Sequence, residues 1–134
     1  FKNTMAIGIL AMFLRYVMSA LAPEVGGLYF GAIAVHGAIF GFFFVAAQMY
    51  IDKKAPADIK AQAQGLYFFF YGVAQVIGTF FSKWLIDSYT ALPAQAGAEA
   101  VTNWATVFWI ESAISGALLI FFYLFFKNDV KEQQ

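Results

Sequence analysis

Residues 28–51 run for 24 positions without an Asp, Glu, Lys or Arg, and His36 is the one histidine among them. About 20 apolar residues are enough to cross the hydrocarbon core of a bilayer as a helix. Residues 4–22, 61–86 and 104–126 have the same character. A chain of 134 residues has no water-soluble core large enough to hide four such segments. It is 62% hydrophobic and 12% charged, where a soluble domain is nearer about 25% charged. The expected fold class is therefore an all-α membrane protein with four transmembrane helices, its first partner the lipid bilayer.

Composition also removes whole classes of function. The formal net charge is zero, so no nucleic acid or polyanionic partner is indicated. Cysteine is absent, which excludes disulfides, thiolate metal sites and thiol catalysis. One histidine with no carboxylate near it in sequence builds no metal site. The chain has no glycine-rich phosphate loop, no HExxH and no paired intramembrane carboxylates. No enzymatic activity and no cofactor are expected. Arg15 interrupts the first apolar segment, which argues against a signal peptide. The chain opens on Phe1 rather than on Met, and it reads as the C-terminal part of a longer membrane protein.

The spans are expected at about 4–22, 28–50, 59–86 and 104–126. Pro23 and the Gly26-Gly27 pair stop the first. A charged loop, 52–58, and a longer loop of small residues, 87–103, separate the later ones. Basic residues favour the cytoplasmic side of a membrane. Lys2, Lys53, Lys54, Lys60, Lys127 and Lys131 all fall on one side of this arrangement, with Lys83 alone near the other. Both termini and the 52–60 loop are thus expected to be cytoplasmic. Trp84, Tyr89 and Trp104 suit an aromatic belt at the far interface.

Within the spans, small and polar residues set the faces. Gly27, Gly31, Ala34, Ala38 and Gly41 recur at helical spacing and are expected to pack against a neighbouring helix. His36, Phe40 and Phe43 lie on another face, either as satisfied interior groups or as groups facing a ligand. The third span carries an uncharged polar stripe of Gln64, Tyr67, Tyr71, Gln75 and Ser82, which faces other helices or a wet cavity rather than lipid. Gln64 is expected to hydrogen-bond between helices, and Tyr71 and Gln75 to face a cavity. Arg15 costs roughly 2.5–3.5 kcal/mol if it meets lipid, so a structural role against protein or water is expected. Glu111 is expected to be a partner for Lys83 or a group near the interface, with a proton-carrying carboxylate as the alternative.

The segment 36–45 (HGAIFGFFFV), followed by 50–56 (YIDKKAP) and 59–65 (IKAQAQG), resembles the nucleoside:proton symporter family of the major facilitator superfamily. Leu14-Arg15-Tyr16 looks like the Leu-Arg-aromatic element of that family's ninth helix, and 103–109 looks like the start of its last. The resemblance spans nearly the whole chain, as helices nine to twelve of twelve. It implies a part of the C-terminal six-helix bundle of a transporter that imports nucleosides with protons across a bacterial inner membrane by alternating access. The partners implied are a nucleoside, protons and the missing N-terminal helices.

The resemblance further implies substrate contact at His36 and Phe40, to which the polar stripe adds Tyr71 and Gln75. Structural or gating roles are expected for Arg15, Lys53, Lys54 and Glu111. Better-known members carry Asp where this chain has Gly41. A glycine can neither carry a proton nor bond a ribose hydroxyl, so the coupling group or the solute differs here. The alternatives are a facilitator carrier for another small polar solute, such as a sugar, and a non-transporting four-helix membrane subunit.

Overall fold

The computed structural model describes residues 1–92 and 99–130. Four helices are long and apolar enough to cross a membrane: Lys2–Leu21, Leu28–Lys54, Lys60–Ser88 and Trp104–Phe125. Helices are the expected solution, because lipid offers nothing for backbone N–H and C=O groups to bond. Lys131, part of the charge pattern above, lies outside the described residues.

Each helix ends for a local reason. Pro23 follows the first helix, and the turn behind it is closed by the amides of Glu24 and Val25 on the Leu21 carbonyl. The second helix runs to Lys54, past the expected end at Tyr50. Charged residues outside the hydrocarbon can continue a helix. Pro56 then pushes Ala55 into extended backbone (φ −71°, ψ 134°) and stops it.

The third helix has 29 residues, about 44 Å at 1.5 Å per residue. That exceeds the roughly 30 Å hydrocarbon core, so Lys60 and Lys83 can both reach an interface. The 87–103 loop contains a short antiparallel pair, Thr90–Ala91 with Val101–Thr102. Asn103 caps the fourth helix, its side-chain oxygen accepting the Thr106 amide at 3.1 Å.

The first helix is the centre of the arrangement, packed against both the second and the fourth. It buries Ala6, Gly8, Ile9, Ala11, Ser19 and Ala20. A Cβ on Gly8 would sit 2.6 Å from the Phe43 Cβ and 2.7 Å from the Phe43 backbone nitrogen, so these two helices touch backbone to backbone. On the other flank the Phe13 ring lies 3.4 Å from where a Gly116 Cβ would be.

At the end holding Phe1 and Phe126, Met5, Ala46 and Ala47 are buried beneath these two and Phe43, Tyr50, Tyr67 and Phe122. All four helices contribute there. The third helix is otherwise thinly attached, and Leu85 is its one buried residue.

The glycine and alanine face expected to pack on the second helix does so only in part among the described residues. A Cβ at Gly27 or Gly41 would meet nothing within 4 Å, and Ala34 is exposed. Gly31 meets the end of the Met18 side chain, and Ala38 is half-buried. The helix buries Ala32, Ile39, Ala46 and Ala47 instead. Spacing identified a seam of small residues, but the seam that forms is set by Gly8 on the other helix.

Candidate functional site

The second helix is not α-helical throughout. Residues Phe40–Val45 form a π-helical turn between the α-helical segments Leu28–Ile39 and Ala46–Lys54. In such a turn hydrogen bonds run from i to i+5, and π-turns inside α-helices are found frequently at functional sites. It distributes three adjacent phenylalanines to three environments. Phe42 is exposed, Phe43 enters the core against Met5 and Ala46, and Phe44 meets the third helix.

From this turn a line of contacts runs to the polar stripe. The Phe40 and Phe44 ring centroids are 5.2 Å apart, tilted by 39°. Phe44 meets the Tyr71 ring edge to face, at 5.1 Å and 84°. The Gln75 side-chain amide donates to the Tyr71 hydroxyl at 2.7 Å. Tyr71 keeps its own O–H to donate, and Gln75 keeps its carbonyl to accept. The line begins in aromatic rings and ends in a donor–acceptor pair. His36 is exposed, four residues before Phe40 and therefore on the same flank. Beyond Tyr71 residues 72–80 are exposed, and the Leu28–Ile39 segment does not pack against the third helix. Phe40, at 59% exposure, and Gln75 lie where the two helices part.

Of the four residues expected to meet substrate, Phe40, Tyr71 and Gln75 are thus joined, through Phe44. His36 stands one turn further along. Sequence reading passed over Phe44, because three identical residues in a row carry no periodicity. Gln64 bonds the Gln48 carbonyl of the second helix at 2.9 Å. Tyr67, between Gln64 and Tyr71, has its hydroxyl buried without a partner.

The residues expected to be structural or gating fall in two places. Arg15 is half-buried, with its guanidinium over the neighbouring Tyr16 ring at 5.3 Å. Glu111, half-buried on the fourth helix, lies within electrostatic reach of Arg15. The expected Glu111–Lys83 pair does not form, since Lys83 binds Asp87 one turn along its own helix at 2.6 Å. A partner four residues away costs less ordering than one on another helix.

Lys53 and Lys54 occupy the last turn of the second helix. Lys53 lies over the Phe1 ring at 5.3 Å. Lys54 pairs with Asp129, beyond the fourth helix, at 2.6 Å, and the Tyr50 hydroxyl donates to the same carboxylate. Lys54 first and Tyr50 second hold the Asp129 carboxyl down to about 2. Lys60 reaches back to Asp52 at 3.3 Å.

Two grooves elsewhere are hydrocarbon-lined. One lies between the first and fourth helices, beside Ile7, Leu10 and Ile120, and the other beside Met12, Phe43 and Phe122. The first carries polar groups only at Asn3 and Tyr123, and the second carries none. Among the described residues no cluster of His, Cys, Asp or Glu could hold a metal ion.

Residues 1–131 match the family described as Nucleoside H+ symporter. This chain belongs to that family. Its relatives within the symporter family include the nucleoside permease NupG of Escherichia coli (strain K12), 29% identical over 130 residues. The match covers 94% of this chain and 29% of NupG. The xanthosine permease of the same organism is 25% identical over 132 residues, covering 96% of this chain and 30% of the permease. The chain thus spans under a third of the length of these relatives. No solved structure matches. Family and helices together make this a multi-pass, all-α membrane protein.

Proposed function

We propose that this chain forms the last four helices of a proton-coupled nucleoside transporter, within the C-terminal six-helix bundle of a major facilitator protein. Such transporters work by alternating access, two halves rocking around a site near the bilayer midplane. The supporting observation is the line from Phe40 to Gln75. A nucleoside has a flat aromatic base joined to a hydroxylated sugar. Phe40 offers a ring face to the base. Tyr71 and Gln75 offer a hydroxyl donor and a carbonyl acceptor to the sugar or to the polar edge of the base. His36 supplies one further hydrogen bond. The names of the relatives, one a nucleoside and one a xanthosine permease, support the same solute class.

The protein resides in a bacterial inner membrane with both termini in the cytoplasm. Lys53 and Lys54 then belong to a cytoplasmic cluster with Asp129 and Phe1 that fastens the helix ends together. A Cys introduced at Ala57 would be the one thiol in this segment. It should react with a membrane-impermeant maleimide only after the membrane is opened, and labelling of intact cells would invert the topology.

The decisive experiment is uptake of labelled uridine by the full-length protein in vesicles, with and without a proton uncoupler. Uptake that collapses with the proton gradient is expected. His36→Ala and Phe40→Ala should raise KM more than they lower the amount of transporter, about tenfold for Phe40 if a desolvated aromatic contact worth about 1.5 kcal/mol is lost. Gly41 favours a second reading, a facilitator for a different polar solute, because no carboxylate stands at that position. Sugar uptake that nucleosides fail to compete would establish it.

A further inference from the structure

Phe44 was not among the residues expected to touch a solute, and its surroundings point to a different task. Its ring is half-buried, and three others bracket it: Phe40 at 5.2 Å, Phe43 at 5.5 Å and Tyr71 at 5.1 Å. It therefore stands between Phe40 and Tyr71 and backs both, without being a surface on which a solute lies. Two of its contacts, with Phe43 and Tyr71, are edge to face, at 88° and 84°. That geometry sets the positive edge of one ring against the negative face of the other and resists rotation. Holding the Tyr71 ring in place also holds its hydroxyl on Gln75.

The turn carrying Phe44 is braced from behind. Gly8 presses its backbone on Phe42 and Phe43, where a Cβ would come within 2.6–3.0 Å of their atoms. A π-turn could otherwise relax to α-helix and rotate Phe40 relative to Phe44. With Gly8 behind it and Tyr71 in front, the register is fixed.

We propose that Phe44 is a positioning residue that sets the offset between the stacking ring of Phe40 and the hydrogen-bonding pair Tyr71–Gln75, and thereby determines affinity for, and choice among, nucleosides. The proposal rests on the nucleoside reading above. It predicts selection by shape: a solute must present an aromatic plane and a polar edge at the spacing that Phe44 imposes.

The test uses the full-length transporter in proteoliposomes with labelled uridine, adenosine and xanthosine. Phe44→Leu is expected to raise KM for the transported nucleosides about three- to tenfold, the value of one aromatic pair. Saturated uptake per transporter should stay within about twofold, as when binding shared by ground and transition states is lost. KM should rise by different factors for purine and pyrimidine nucleosides. Phe44→Tyr, which keeps the ring edge, should recover most of the loss.

If Phe44 acts through Tyr71, the variant combining Phe44→Leu with Tyr71→Leu should be no worse than Tyr71→Leu alone. Should Phe44→Leu fail to accumulate, Phe44→Met, which fills similar space without a ring, decides the matter. Unchanged KM in these variants, or effects of Phe44 and Tyr71 that multiply, would overturn the proposal while leaving the nucleoside reading intact. Wild-type vesicles that take up none of the three nucleosides would overturn both.

Discussion

The first and third helices are both long and apolar enough to cross a membrane, yet 39% of the most apolar stretch of the first is buried inside the molecule and 0% of the third's. The first is lined with small residues that meet other backbones or rings, above all Gly8. The third also has glycines, at 65, 72 and 78, but a Cβ on any of them would meet open space. Hydropathy selects segments that can enter a bilayer and does not say which of them meet each other. In lipid, association depends on how closely backbones approach and on a few polar contacts. The third helix instead meets the second through the Gln64 bond to the Gln48 carbonyl and the ring contact of Tyr71 with Phe44.

Substitutions on the two helices test that contrast directly. Gly8→Leu should have the largest effect, because its side chain must displace the Phe42–Phe43 backbone. Overpacking costs about 1–3 kcal/mol or more, and folded protein should be lost in detergent size-exclusion profiles. Gly72→Leu should stay within about 0.5 kcal/mol of wild type by melting in detergent. A comparable loss at Gly72 would break the contrast and show that further protein covers that face.

Gln64→Leu removes the bond to the Gln48 carbonyl. It should cost about 0.6 kcal/mol, the average for hydrogen bonds between membrane helices. A melting shift of about one to two degrees would register it.

The smallest effect belongs to Asp129, since it and Lys54 are about half exposed and screened by water. Its carboxyl titrates at about 2 rather than the ordinary 3.8. An acid shifted down contributes fully above its ordinary value and loses that contribution as pH falls from 3.8 towards 2. A spin label at Asn128 should become mobile across that interval. Asp129→Asn should be mobile at every pH.

Much of the fold was legible beforehand because the bilayer simplifies the problem. Long uncharged runs and the stop at Pro23 act locally and can be read one residue at a time. The π-turn could not be read this way, since Phe42, Phe43 and Phe44 are chemically identical and only the pressure of Gly8 and the ring of Tyr71 distinguish them. Pairing of charges was equally obscure. Lys83 was expected to meet Glu111, and Asp87, one turn along its own helix, holds it instead because that pairing asks for less ordering. The polar stripe brought Tyr71 and Gln75 together on one face, and they hydrogen-bond each other. The ring that joins them to Phe40 needed coordinates, because the contact spans 27 residues of chain.

The short strand pair between the third and fourth helices has a mechanical consequence. Thr90 and Thr102 share a hydroxyl contact at 2.8 Å, and the Asn103 amide is held by the Tyr89 carbonyl at 2.9 Å. The third helix is therefore pinned at this end to the root of the fourth, and at its other end to the second by Gln64. A stave fixed at both tips and bare along its middle can bow without coming loose. Widening or narrowing the gap beside Phe40 would then ask only for flexure of residues 72–80, with every anchor left in place.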